Sequence, residues 1–255
     1  MTDLSIHYTY LYKILRDIAE DHSIAPHLIF KGGTALMLFY DLPRFSVDLD
    51  FTLIDKETEN LVYDRLVEIA QMYGKIEDCN LGYYGPKVVL DYGPGTWKLK
   101  MEVSNRYWGE EPDLLTLDGF SLNVMSPSDM YAHKLIAIEE RKGVANRDIF
   151  DIFFFEEHNV IPNEEIISKR KGISLSEQIT TDISILEKYP QNRILSSLAP
   201  LLSPEKAKWV KANLLRETIN YLNKRMQIER LKERFQEDIP DAVTKRTKSV
   251  KRKLL

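Results

Sequence analysis

The segment Ser46-Val47-Asp48-Leu49-Asp50-Phe51 alternates apolar and polar side chains with a period of two, a pattern that a strand sorts onto opposite faces. Val47, Leu49 and Phe51 then share one face, and Asp48 and Asp50 stand side by side on the other. Neighbouring carboxylates repel and raise each other's pKa unless a cation lies between them, so this array of hard oxygens points to Mg²⁺. A solvated strand face is the plain alternative.

Just upstream, His27 to Phe30 is a short apolar run that stops at Gly32-Gly33, and Thr34 to Tyr40 reads as a helix filled by Leu36, Met37, Leu38 and Phe39. Strand, glycine turn and helix in that order let the backbone approach a ligand closely. The free N–H groups and positive dipole end of the helix suit phosphate. A glycine pair alone also fits an ordinary tight turn; the following carboxylates favour a nucleotide-triphosphate site.

The flanking chain reads as helices and strands around this stretch. Leu4 to Glu20 has helical spacing. Lys56 to Tyr73 does too, with Leu61, Leu66, Val67, Ile69 and Ala70 inward and Gly74 as its end. Strands are expected at Ile76 to Tyr84, Lys87 to Asp91 and Trp97 to Ser104. In the last, Leu99, Met101 and Val103 alternate with Lys98, Lys100, Glu102 and Ser104, which puts Glu102 on the polar face. It is a third carboxylate if this strand lies beside the Asp48-Asp50 strand, and a surface glutamate otherwise.

Asp118-Gly119 signals a hairpin between Leu114 to Leu117 and Phe120 to Val124. Ser126-Pro127-Ser128-Asp129 opens a helix that runs to about Lys142. There Lys134 shares a face with Met130, Ala137 and Ile138, so its ammonium either snorkels or reaches a partner. Asn146 to Glu156 reads as a further helix with Asn146 as its capping candidate, and Asp148 and Asp151 fall on neighbouring parts of one face. A helix dipole favours an acid at Asp148 on its own account. Ile173 to Tyr189 and Pro204 to Gln236 are helical, and the best boundary lies near Ser126, dividing a core over 1–125 from a helical part over 126–255.

Composition narrows the class. A chain of 255 residues with 44% hydrophobic side chains fills a substantial core. No apolar run approaches the roughly 18 residues that span a bilayer, and no signal pattern opens the chain, so a soluble cytoplasmic protein is expected. The lone Cys79 excludes an internal disulfide. Net charge is −4, yet Lys245, Arg246, Lys248, Lys251, Arg252 and Lys253 crowd the C-terminus without an acid, either to attract RNA phosphates or as a solubilising tail.

Three stretches together carry a family resemblance: Lys31-Gly32-Gly33-Thr34-Ala35-Leu36, Leu42-Pro43-Arg44-Phe45-Ser46 and Asp48-Leu49-Asp50-Phe51. They closely resemble the AbiEii/AbiGii toxin family of nucleotidyltransferases, which includes the MenT toxins, within the DNA polymerase β-like superfamily. Arg147-Asp148-Ile149-Phe150-Asp151 is similar to that family's Arg-Asp-x-x-Asp element. The resemblance implies an α+β fold, a mixed sheet flanked by helices with a helical C-terminal part. It implies transfer of a nucleoside monophosphate from an NTP, with two Mg²⁺ ions on Asp48, Asp50 and Glu102 and the triphosphate on Gly32, Gly33 and Thr34 near Ser46. Glu102 would be base or metal ligand, Lys134 would lie over the phosphates, and Asp148 would support activity. It further implies a toxin with a tRNA 3′ end as acceptor and a cognate antitoxin as partner. A metabolic or antibiotic-modifying transferase, or a non-catalytic binding protein, stays open because fold does not fix substrate.

Overall fold

The computed structural model describes residues 4–93 and 97–251. Helix α1 (Leu4–Glu20) turns His7, Leu11, Ile14, Leu15 and Ile18 into the core, the stripe that helical spacing dictates. Strand β1 (Leu28–Lys31) runs straight into α2 (Gly32–Phe39), and β2 (Asp48–Leu53) and α3 (Glu59–Gln71) follow. Three strands come next, β3 (Lys75–Gly82), β4 (Gly85–Asp91) and β5 (Leu99–Ser104), and then the hairpin of β6 (Pro112–Leu117) and β7 (Phe120–Met125). At its turn Asp118 and Gly119 both have positive φ, 44° and 95°, the backbone a two-residue hairpin loop demands.

The seven strands form one mixed sheet in the order β3-β4-β5-β2-β1-β7-β6. Pairing is antiparallel except between β2 and β5 and between β1 and β7. Strand β1, interior to the sheet, buries Leu28, Ile29 and Phe30 in succession because both of its faces are covered. In β2 the alternation holds: Leu49 and Phe51 are buried, each contributing roughly 1.5–3 kcal/mol, and both aspartates stay partly open. Two parts of the chain set where β2 starts. His7 on α1 hydrogen-bonds the carbonyl of Val47, and Thr34 on α2 donates to the carbonyl of Asp48.

Helices make up the rest: α4 (Pro127–Glu140), α5 (Asn146–Glu157), α6 (Glu164–Lys171), α7 (Leu175–Glu187) and α8 (Pro204–Lys251). Ser126 caps α4 by accepting from the Asp129 N–H. Leu11, Leu49, Phe150 and Leu222 all belong to one cluster of buried side chains.

The structure differs from the sequence reading in several places. Leu61 is 42% exposed and Val62 fills the inner face of α3. Asn146 does not cap α5. Ala145 holds that position, and the Asn146 amide donates to the carbonyls of Arg193 and Ser196 while its oxygen accepts from Tyr189. Helix α4 ends at Glu140 because Arg141 is extended, and α6 was not expected. Of the basic tail, Lys245, Arg246, Lys248 and Lys251 continue α8, and Arg252 and Lys253 lie outside the described residues.

Candidate active site

The glycine turn faces the carboxylates. Gly32 has φ 80°, and a Cβ there would stand 2.8 Å from Asp50 Oδ2; one on Gly33 would stand 2.6 Å from Arg44 Nη2 and 2.8 Å from Ser46 Oγ. Both glycines are therefore required by close approach, and Gly32 by its left-handed backbone as well. Replacing Gly32 with alanine is expected to destabilise the fold by roughly 1–2 kcal/mol from backbone strain alone. It should also push Asp50 out of place, which chemical denaturation together with nucleotide binding will measure.

Strand register brings the third acid alongside. In the parallel β2–β5 ladder Asp50 lies opposite Glu102 and Asp48 opposite Lys100, and across the antiparallel β1–β2 ladder Lys31 lies opposite Asp50. Asp48, Asp50 and Glu102 all line one cavity of about 530 Å³, together with Gly32, Gly33 and Ser46. Thr34 is buried with its hydroxyl committed to the Asp48 carbonyl, so it has only its backbone to offer a ligand.

Charge is crowded here, and the shifts follow. Burial pushes the Asp50 carboxyl up, and Asp48 and Glu102 add repulsion against the pull of Lys100 and Lys31. Burial also works against ionised Glu102, but the Lys100 ammonium, 2.7 Å from Oε2, outweighs it and holds Glu102 below the usual glutamate range. Lys100 itself is raised: burial opposes its charge, and Asp50, Asp48 and Glu102 overcome that. Lys31 is lowered to about 8, chiefly by burial. Asp48 and Asp50 are hard oxygens on one strand face, the donor type a divalent cation takes, with Lys100, Lys31 and Arg147 offsetting part of their repulsion. With Glu102 turned onto Lys100, no three acidic, thiol or imidazole groups among the described residues are grouped to share an ion.

Lys134 has found partners. Its Nζ sits 2.6 Å from Asp148 Oδ1 and 2.7 Å from Asp151 Oδ2, and their attraction overcomes burial to raise its pKa. Asp151 is fully buried and also takes a two-pronged bond from Arg44, Nε to Oδ1 at 2.7 Å and Nη2 to Oδ2 at 2.8 Å. Arg44 is thus a structural clamp between the loop before β2 and α5, and Asp151 is its anchor. Arg141 Nε lies 3.0 Å from Asp148 Oδ2, an ion pair without hydrogen-bond alignment. Lys134 and Asp148 still line the cavity.

Sequence reasoning missed most of the cations on that cavity: Lys31, Lys100, Arg106, Arg141, Arg147 and Arg170. The signal for Lys100 was present, since it shares the polar face of its strand with Glu102. Arg147, 3.6 Å from Asp48 Oδ2, lay inside the Arg-Asp-x-x-Asp element without a role. These cations share the cavity wall with five carboxylates, Asp48, Asp50, Glu102, Glu140 and Asp148, and Lys100, Arg141, Arg147 and Arg170 are each paired with one of them.

Comparison with solved structures supports the fold. A crystal structure assigned as a nucleotidyltransferase, from H. pylori, superposes with a TM-score of 0.52 at 19% identity, covering 88% of this chain and 98% of that one. MenT4, a nucleotidyltransferase toxin from Mycobacterium tuberculosis, gives a TM-score of 0.47 at 17% identity, covering 84% and 85%. The first of these likenesses, at so low an identity, bears on fold alone. No curated protein matches the chain. The family model described as nucleotidyl transferase AbiEii toxin of a type IV toxin–antitoxin system matches residues 13–253, and the chain belongs to that AbiEii nucleotidyltransferase toxin family.

Proposed function

We infer that this protein transfers a nucleoside monophosphate from an NTP to the 3′ hydroxyl of an RNA, with tRNA as the acceptor the family resemblance implies. The observation that carries the reading is the register of Asp50 with Glu102 on adjoining strands, beside a glycine turn that leaves no room for a side chain over Asp50.

In this reading the triphosphate rests on the backbone N–H groups of Gly32, Gly33 and Thr34, which have no partners within the first turn of α2. Lys134 and Arg147 face its charge from α4 and α5. Asp48, Asp50 and Glu102 are the residues that would hold Mg²⁺, which supplies neutralisation of the charge that builds on the phosphate oxygens. Glu102, held ionised by Lys100, accepts the proton of the acceptor hydroxyl. The acceptor oxygen bonds to the α-phosphorus, the bond from that phosphorus to the β-phosphate oxygen breaks, and pyrophosphate leaves with the electron pair.

Incubation with Mg²⁺, each α-labelled NTP in turn and total tRNA is expected to label RNA. Label appearing in a small molecule instead, or nowhere, would overturn the reading. Membership of a type IV toxin–antitoxin family makes an antitoxin the expected counterpart. Its co-expression should relieve growth arrest caused by this chain.

A further inference from the structure

The polar face of β5 does not end at Glu102. Lys100, Glu102, Ser104 and Arg106 line the cavity in succession, and the wall continues through Trp108 and Tyr84. Lys87 lies opposite Glu102 on β4, and the Asn105 N–H donates to the Tyr84 carbonyl at 3.0 Å. Tyr84 therefore stands three residues beyond Glu102 along the ladder, about 10 Å at a strand's rise per residue.

Here the side chains are open and charged. Tyr83 is 89% exposed and Tyr84 59%. Their rings meet edge to face at 5.0 Å, and the Arg106 guanidinium lies over the Tyr84 ring at 4.7 Å. Arg170, by contrast, is taken up by Glu140 and His133. Arg106 has no carboxylate partner among the described residues. The turn that carries the tyrosines is firmly set: Asn105 Nδ2 bonds both Glu59 and the Tyr83 carbonyl, and Gly85 packs so tightly on β5 that a Cβ would lie 2.1 Å from the Val103 carbonyl oxygen. The tyrosines are thus held in a set position on the open side of the cavity, with the Arg106 guanidinium stacked on one of them.

We propose that Tyr84, with Arg106 over it and Tyr83 beside it, is a stacking platform for the terminal bases of a single-stranded RNA end delivered to Glu102. Aromatic faces hold any base through its π surface and arginine holds the adjoining phosphate, so such a site is tolerant of sequence and sensitive to salt. The inference rests on reading the Glu102 side of the cavity as the acceptor side.

Binding can be measured apart from turnover, by fluorescence anisotropy of a 5′-fluorescein hexa-adenylate oligoribonucleotide without NTP. Tyr84→Ala should weaken binding about tenfold, and Tyr84→Phe should stay within about twofold of the parent. Arg106→Ala should weaken binding and flatten its salt dependence. In transfer assays Tyr84→Ala should raise KM for the acceptor and leave KM for NTP unchanged. Equal hexa-adenylate binding by the parent and Tyr84→Ala would overturn the platform. So would a protein or small-molecule acceptor together with no oligonucleotide binding. Tyr84-dependent binding without transfer to any acceptor would uphold the platform and sink the transfer reading.

Discussion

Replacing Asp50 with asparagine is expected to slow nucleotidyl transfer by at least about 100-fold while leaving the protein folded. Removing one preorganised group that stabilises charge in the transition state costs about 10²–10³ in rate. Asp50 is central to this array, between Gly32, Asp48 and Glu102. Stability should move the other way. The Asp50 carboxyl is raised in the fold, chiefly by burial, so the stability it contributes is present in acid and is lost as pH rises through its folded value. Asparagine removes that loss, and without divalent cations the variant should melt no earlier than the parent at pH 8. Mg²⁺ should raise the melting temperature of the parent, since a cation that binds only the folded state stabilises it by mass action. EDTA should reverse the gain, and Asp50→Asn should show little of it. A variant that keeps transfer within a few-fold of the parent would remove Asp50 from the chemistry.

The sequence carried the local half of this site. Alternation in two strands placed Asp48, Asp50 and Glu102 on polar faces, because a period of two is written into consecutive residues. It did not carry the pairing. That β5 lies parallel to β2 with Glu102 against Asp50 depends on contacts across some fifty positions of chain, which no local pattern encodes. The same limit explains Lys134. Its odd position on an apolar face is visible in the sequence, and the family resemblance implies a supporting role for Asp148, but that Asp148 and Asp151 both close on Lys134 emerges only when α4 and α5 pack together. Leu61 and Val62 failed differently: adjacent apolar residues both fit a helical stripe, and only the packing of α3 on the sheet decides which is covered. Arg44 carries no local sign of its partner, and only the burial of Asp151 decides its place.

That burial leads to the largest expected loss of stability. Asp151→Ala should destabilise the fold by about 3–5 kcal/mol, because it strands a buried guanidinium and leaves Lys134 with one carboxylate. Arg44 and Asp151 have side-chain exposures of 2% and 0%, so water cannot replace the lost partner. For a chain of this size the melting temperature should fall by roughly 10 °C, at about 2–4 °C per kcal/mol. The pH dependence has a definite sign. Burial alone would raise the Asp151 carboxyl, but Arg44 and Lys134 overcome it and hold the group below the usual aspartate range. A depressed folded value contributes stability above the unfolded pKa and loses it as pH falls through the folded one. Urea denaturation at pH 7 and at about pH 3, below the unfolded aspartate value, should therefore show the parent losing stability in acid more steeply than Asp151→Asn, which has no proton to take up at that position. Arg44→Met paired with Asp151→Leu should recover much of the loss, since a buried ion pair replaced whole by apolar groups is often neutral. Should Asp151→Ala alone unfold at the same urea concentration as the parent, the clamp between the β2 loop and α5 is not what holds the site together.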